Sequence, residues 1–266
     1  MGKIIGLCNQ KGGTGKTTTA INLSSYLGLT GKKTLLVDMD PQGNATSGVG
    51  IDLQENPSKS IYEVLVEEVS PLESIILSPW PNLSIIPSKF SLTGAEIELV
   101  NLHEREQRLR HILEFIKDQF SYIIVDAPPS LGLLTINVLS AADSVIVPIQ
   151  CEYYALEGMS KLLHTIELIK ERLNPFLEIE GILLTMADFR TRLTLQVIEE
   201  VRSFFKENTF NTIVPRNVKL AEAPSFGKPI YFYDPFCVGA KAYFNLTEEI
   251  LKEKIEVLVA LQQGGE

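Results

Sequence analysis

The chain has 266 residues, 45% of them hydrophobic and 21% charged, which is near the globular average and excludes collagenous, low-complexity and intrinsically disordered classes. Twenty-four Lys and Arg against 33 Asp and Glu leave a net charge of −9, so a generally basic nucleic-acid coat is excluded and only a local basic patch is open.

The first element expected is a buried strand over Lys3 to Cys8 (KIIGLC). It runs directly into a motif, so the apolar start is too short for a signal peptide, and Gly6 replaces the Ser or Thr a myristoylation site needs. Residues Lys11 to Thr18 read KGGTGKTT and open a helix expected over Lys16 to Leu29. Strand, glycine-rich turn and helix are the context of a phosphate-binding loop. Gly12, Gly13 and Gly15 let backbone N–H groups turn towards phosphate oxygens, with Thr14 between them, and the helix dipole points at the same anion. Lys16 reaches the β- and γ-phosphates, the Thr17 hydroxyl binds Mg²⁺, and Thr18 closes the run. ATP and Mg²⁺ are the cofactors this motif implies. The usual pattern GxxxxGK(S/T) fails at its first position, where Gln10 stands, and Lys11 follows it.

A second strand is expected over Thr34 to Val37, delivering Asp38 and Asp40 in VDMDPQGNAT. Asp40 is the candidate for orienting the attacking water, and Asp38 for holding Mg²⁺-bound water or the loop. Asn44 to Ser60 reads as a polar loop, and Ser78 to Ser91 as an irregular stretch around a short strand at Leu83 to Ile86. His103 to Gln119 has Leu109, Ile112, Leu113 and Ile116 at helical spacing, with Glu104–Arg108 and Glu106–Arg110 as i,i+4 pairs. Tyr122 to Val125 is a third main strand and ends in Asp126, a carboxylate delivered to the Mg²⁺ shell through water, with Pro128 and Pro129 after it. Strands at Ser144 to Ile149, Glu180 to Thr185 and Thr212 to Val214 follow, interleaved with helices at Glu157 to Leu173, Thr194 to Glu207 and Thr247 to Leu261. Continuous apolar runs mean that both faces of the sheet are covered. The expected fold is α/β: one P-loop domain over 1–266, a doubly wound, mostly parallel sheet flanked by helices.

The three cysteines, Cys8, Cys151 and Cys237, lie far apart without a CxxC, which suits a reduced, cytoplasmic setting; each is expected as a small apolar packing residue. No apolar run approaches the ~18 residues of a membrane span.

KGGTGKTT resembles the deviant Walker A motif of the MinD/ParA ATPases. NQKGGTGKTTTAINL, LLVDMDPQGNATSG, YIIVDAPPSLGLLTIN, PIQCEYYALEGMSKLL and IVPRNVKLAEAPSFGKPI are similar to blocks of the ParA/Soj partition ATPases across nearly the whole chain. The resemblance implies an ATP-dependent homodimer. Lys11 then crosses to the partner's phosphates, much as an arginine finger acts in trans, and Gly12 makes the tight dimer contact. It implies an adenine site bordered by Met186, Pro215 and Asn217. It implies non-specific binding of double-stranded DNA through Arg190 and Lys219, with Arg192, Arg216 and Lys228 as neighbours, and hydrolysis stimulated by a ParB-like protein. The ATP-bound form is then nucleoid-associated. After YDP the family often has an Arg-rich stretch, whereas this chain has Phe236-Cys237-Val238-Gly239, so DNA binding per protomer is expected to be weak. The alternative of a MinD-like membrane switch needs a basic amphipathic tail. Here LTEEILKEKIEVLVALQQGGE carries Lys252 and Lys254 against Glu248, Glu249, Glu253, Glu256 and Glu266, so no membrane partner is expected. A metal-carrier ATPase of the same fold needs a paired Cys motif that the chain lacks, and no further substrate motif marks a small-molecule ligase.

Overall fold

The computed structural model describes residues 2–54, 58–66, 69–153, 155 and 159–254. Eight strands form one sheet in the order β3-β4-β2-β5-β1-β6-β7-β8. They are β1 Lys3–Leu7, β2 Thr34–Asp38, β3 Ile76–Leu77, β4 Leu83–Ile86, β5 Tyr122–Asp126, β6 Ser144–Gln150, β7 Glu178–Ala187 and β8 Thr209–Pro215. All neighbours pair in parallel except β3 with β4. The expected doubly wound sheet is therefore the one observed, with the antiparallel edge strand β3 added.

Eleven helices stand among the described residues: α1 Lys16–Leu29, α2 Asn44–Gly48, α3 Ile61–Val66, α4 Leu92–Glu98, α5 Arg108–Ile116, α6 Leu133–Ala141, α7 Met159–Arg172, α8 Arg192–Phe205, α9 Val218–Glu222, α10 Ile230–Tyr233 and α11 Val238–Leu251. Alternation of side chains along each strand divides the core in two. Ile4, Leu35, Ile123, Val145 and Ile182 face α3 to α8. Ile5, Leu36, Ile124, Ile146 and Leu183 face α1, α2 and α9 to α11. This is why the strands read as continuous apolar runs.

Several expectations about elements are corrected. α2 forms inside the stretch read as a loop, because Ala45 and Thr46 are buried against the sheet edge. The helix expected from His103 begins at Arg108, since Glu104 sits at φ +51° and breaks the path. Both expected i,i+4 pairs thus start outside it; Glu106 pairs with Arg105, and Arg110 with Glu114. α6 carries no amphipathic signature because Leu134, Asn137, Val138, Leu139 and Ser140 are buried almost all round. The last helix starts at Val238, nine residues before the expected Thr247, and its last residue is Leu251, with Lys252 at φ +56°. The rest of the expected tail helix, from Ile255, lies outside the described residues. Cys8 and Cys151 are buried packing residues as expected, whereas the Cys237 sulfur caps α11 by accepting from the Ala240 N–H at 3.3 Å. Among the described residues no helix is long and apolar enough to cross a membrane.

Candidate nucleotide site

The C-terminal ends of β1, β2, β5, β6, β7 and β8 converge on one edge of the sheet, where open α/β folds bind ligands. β1 leads into the glycine-rich turn and α1. Gly13 and Gly15 adopt φ +73° and +89°, a region L side chains rarely enter, and a β-carbon on Gly13 meets nothing within 4 Å. The turn is therefore an open cradle. Asn9 locks its start: the side chain accepts from the Lys11 N–H at 3.0 Å and donates to the Pro148 carbonyl at 2.7 Å. Thr185 locks its end, with a hydroxyl 2.8 Å from the Thr14 carbonyl and 3.2 Å from that of Ile149.

Lys16 is buried, and its ammonium donates to the Lys11 carbonyl at 3.3 Å, across the cradle. Burial lowers its proton affinity, and Asp126, Cys8 and Asp40 work against that. Asp38 and Asp126 end neighbouring strands in register. Asp126 is wholly buried, and neither carboxylate oxygen makes a hydrogen bond of ordinary geometry. Burial and the nearby Asp38 raise its pKa well above the carboxylate range, while the facing Thr17 hydroxyl and Lys16 ammonium favour its charged form. A buried carboxylate that accepts no well-formed hydrogen bond, faced by one hydroxyl at the foot of an anion cradle, fits a hydrated divalent cation.

Asp38 is differently employed. It accepts from the Thr46 N–H at 2.8 Å, the Thr46 hydroxyl at 2.7 Å and the Asp40 N–H at 3.1 Å. These three bonds tie the loop after β2 to the strand end. Asp40 caps the turn, accepting from the Gln42 N–H at 3.0 Å, and is mostly buried beside the cradle.

A cavity of about 330 Å³ adjoins the cradle. Gly15 and Thr18 line its end nearest the cradle, and Met186, Pro215 and Asn217 line the rest, together with Tyr243. The three residues expected at adenine are thus brought together by the ends of β7 and β8. The Asn217 oxygen caps α9 by accepting from the Leu220 N–H at 3.3 Å, so the NH₂ group is what the side chain can offer a base. Tyr243, which the sequence reading missed, is buried in α11 and hydrogen-bonded to Thr19 at 3.1 Å.

Lys11 is exposed, with its ammonium 3.6 Å from Glu152. Gly12 is free of intrachain crowding: a β-carbon there comes no nearer than 3.8 Å, to Pro129. Arg190 and Lys219 lie past the ends of β7 and β8 and are paired with Asp188 and Glu222. The Arg216 N–H donates to the Ala187 carbonyl, joining these two loops.

A family model described as an AAA domain matches residues 2–179. The sporulation initiation inhibitor protein Soj of Bacillus subtilis is 54% identical over 94% of this chain and 98% of its own length. The chromosome partitioning protein ParA of Myxococcus xanthus is 55% identical over 95% of this chain and 89% of its own. Among solved structures, cobyrinic acid a,c-diamide synthase of Mycobacterium smegmatis, with bound ADP and magnesium, superposes with a TM-score of 0.81 at 33% identity, covering 96% of this chain and 98% of that one.

Proposed function

The chain belongs to the Soj/ParA family of partitioning ATPases, and from that premise we propose that it is a magnesium-dependent ATP switch that gates DNA binding during partitioning. The observation that carries the reading is the union of cradle, buried Asp126 and apolar cavity at one sheet edge. Gly13, Gly15 and the N-terminus of α1 take the phosphates, and the cavity beyond Thr18 takes the base. Lys16 leaves the Lys11 carbonyl for the β- and γ-phosphates. Thr17 and Asp126 would hold magnesium, Asp126 through water. When bound, magnesium neutralises phosphate charge and orients the transferred group. Asp40 positions the attacking water.

Lys11 supplies the remaining positive charge to the nucleotide of a second copy. Its exposure supports this, and the room at Gly12, where a β-carbon comes no nearer than 3.8 Å within the protomer, leaves that position open to a neighbour's P-loop. Hydrolysis then depends on dimerisation, is slow alone, and is accelerated by a ParB-like partner. Turnover well above ~1 s⁻¹ without that partner counts against the reading. The dimer binds double-stranded DNA without sequence preference through Arg190 and Lys219, and in that state it is nucleoid-associated.

The test is binding to random-sequence duplex DNA with ATP and with ADP, at low and physiological salt, beside sedimentation of the same samples. The expected result is an ATP-dependent dimer that binds DNA and releases it as salt rises. Lys16→Ala abolishes both. A dimer that ignores DNA under every condition overturns the DNA part and leaves the ATP switch.

A further inference from the structure

Four cations stand at the sheet edge beyond β1, β7 and β8, and each meets a carboxylate of its own chain. Arg190 holds Asp188 in a bidentate pair, Nε to Oδ1 at 2.8 Å and Nη2 to Oδ2 at 2.7 Å. Lys219 lies 3.3 Å from Glu222 and 5.5 Å from the centre of the Tyr233 ring. Lys11 and Arg216 share Glu152, at 3.6 and 3.9 Å. The bidentate Arg190 holds Asp188 down to about 2, and Arg216 adds to the effect from the adjoining loop. These four positive charges thus face three carboxylates within 4 Å, with Asp234 adding its negative charge beside Lys219, on a chain that carries −9 overall.

We propose that Asp188 and Glu222 are attenuators of nucleic-acid affinity: built-in counter-ions that a duplex's phosphates must displace from Arg190 and Lys219. The proposal rests on the DNA-binding reading above. The chemistry sets its size. The Arg190 side chain is 87% exposed, and the Lys219 pair is about half exposed on both sides. Ion pairs in water are weak, so phosphate can displace them at modest cost. Each carboxylate also repels the phosphate that approaches its partner. One protomer therefore binds feebly. Two protomers contribute twice the contacts, and the affinity of the pair rises far more steeply than that of either. Release on return to the monomer is correspondingly complete. Without the attenuators the monomer itself would hold DNA, and the nucleotide would lose control of the cycle.

The experiment is a titration of random-sequence duplex DNA against the full chain with ATP, read by fluorescence anisotropy, for Asp188→Asn, Glu222→Gln and the double variant. An amide at 188 still accepts from the Arg190 backbone N–H, and one at 222 still accepts from the Tyr233 hydroxyl, so the local fold persists. Glu114→Gln is the control: it removes from α5 an ion-paired carboxylate more exposed than either. The expected gain is roughly two- to fivefold for each single change and about tenfold for both. The control gains less than twofold. The Asp188→Asn gain disappears in an Arg190→Ala background.

Wild type that binds while the double variant binds no better overturns the attenuators and leaves the DNA reading intact. A gain from Glu114→Gln as large as the others assigns the effect to net charge and overturns the proposal too. A wild type that binds nothing beside a double variant that binds supports it. No binding by either, with the ATP dimer formed, overturns both the proposal and the DNA reading.

Discussion

Gly50 and Gly227 meet backbone to backbone. Their φ angles are +80° and +62°; a β-carbon on Gly50 would lie 2.8 Å from the Gly227 carbonyl oxygen, and one on Gly227 would lie 2.7 Å from the Gly50 α-carbon. Gly50 closes the segment that starts at Asp38 and runs through α2. Gly227 closes the turn after α9, which carries Lys219. The contact ties the loop that carries Asp40 to the segment that carries Lys219 with no side chain between them. Trp80 secures the same junction, donating to the Val49 carbonyl at 2.8 Å and stacking on Phe232 at 4.4 Å.

Gly227→Ala is therefore strained twice, by its positive φ and by the Gly50 backbone. Gly31 provides the comparison, with φ +79° and nothing within 4 Å of a β-carbon. The backbone conformation alone costs about 1 kcal/mol when Gly becomes Ala. Gly31→Ala should lose about that much in urea unfolding, and Gly227→Ala at least 1 kcal/mol more. Equal losses would mean that the two segments separate freely and that the junction is no rigid link.

Thr185 joins the cradle to the base cavity through one hydroxyl shared by the Thr14 and Ile149 carbonyls. Thr185→Val keeps the shape and removes the donor, leaving both buried carbonyls short of a partner. A loss of about 1–3 kcal/mol in unfolding free energy is expected. Because Thr14 belongs to the cradle, ADP affinity measured by calorimetry should fall with it. Thr185→Ser should restore both. Lost stability with unchanged ADP affinity would confine Thr185 to the core.

The parts legible from sequence are those set by local chemistry. The runs at Ile4, Leu35, Ile123 and Val145 marked strands because each buries both faces. Gly13, Gly15, Lys16 and Thr17 marked the cradle because phosphate binding needs backbone freedom and charge at that spacing. What escaped depends on distant partners. α2 exists because its buried residues pack on the sheet edge and on the turn around Pro224. α6 lacks periodicity because it is enclosed. Tyr243 reaches the cavity only because α11 packs on α1. The Lys219–Glu222 pair is an i,i+3 spacing visible in the sequence, whereas the Asp188–Arg190 pair depends on the fold of its turn.

The three thiols should separate by reactivity. Burial pushes Cys8 up to about 12 and Cys151 up to about 11, so at pH 8 both are essentially all thiol, and both are shielded. Cys237 is partly exposed at the start of α11. Titration of the native protein with Ellman's reagent should therefore show one accessible thiol, removed by Cys237→Ser, and three after denaturation. A second fast thiol in the native protein would mean that the floor of the cradle, where Cys8 lies, opens in solution.

Asp38 gives the fold a pH dependence of defined sign. Burial pushes its pKa up to about 6, against the pull of the Thr46 and Asp40 hydrogen bonds. Unfolded, it titrates near ~3.9. The folded state holds this proton more tightly, so the contribution to stability is complete below about 4 and is lost as pH rises through about 6. Urea midpoints of the nucleotide-free protein in EDTA should fall between about pH 5 and about pH 7.5. Asp38→Asn cannot titrate. It forfeits part of the acceptor set and should be less stable at pH 5, but the fall with pH should be smaller. The slope, rather than the level, is the readout, because a lost hydrogen bond lowers every midpoint alike. A slope unchanged by Asp38→Asn would move the titration to Asp126, the other wholly buried carboxylate of this edge. A reduced slope would mean that the loop carrying Asp40 hangs on a carboxylate whose charge the fold tolerates poorly near neutral pH, so that its hold on Thr46 is already strained before any nucleotide arrives.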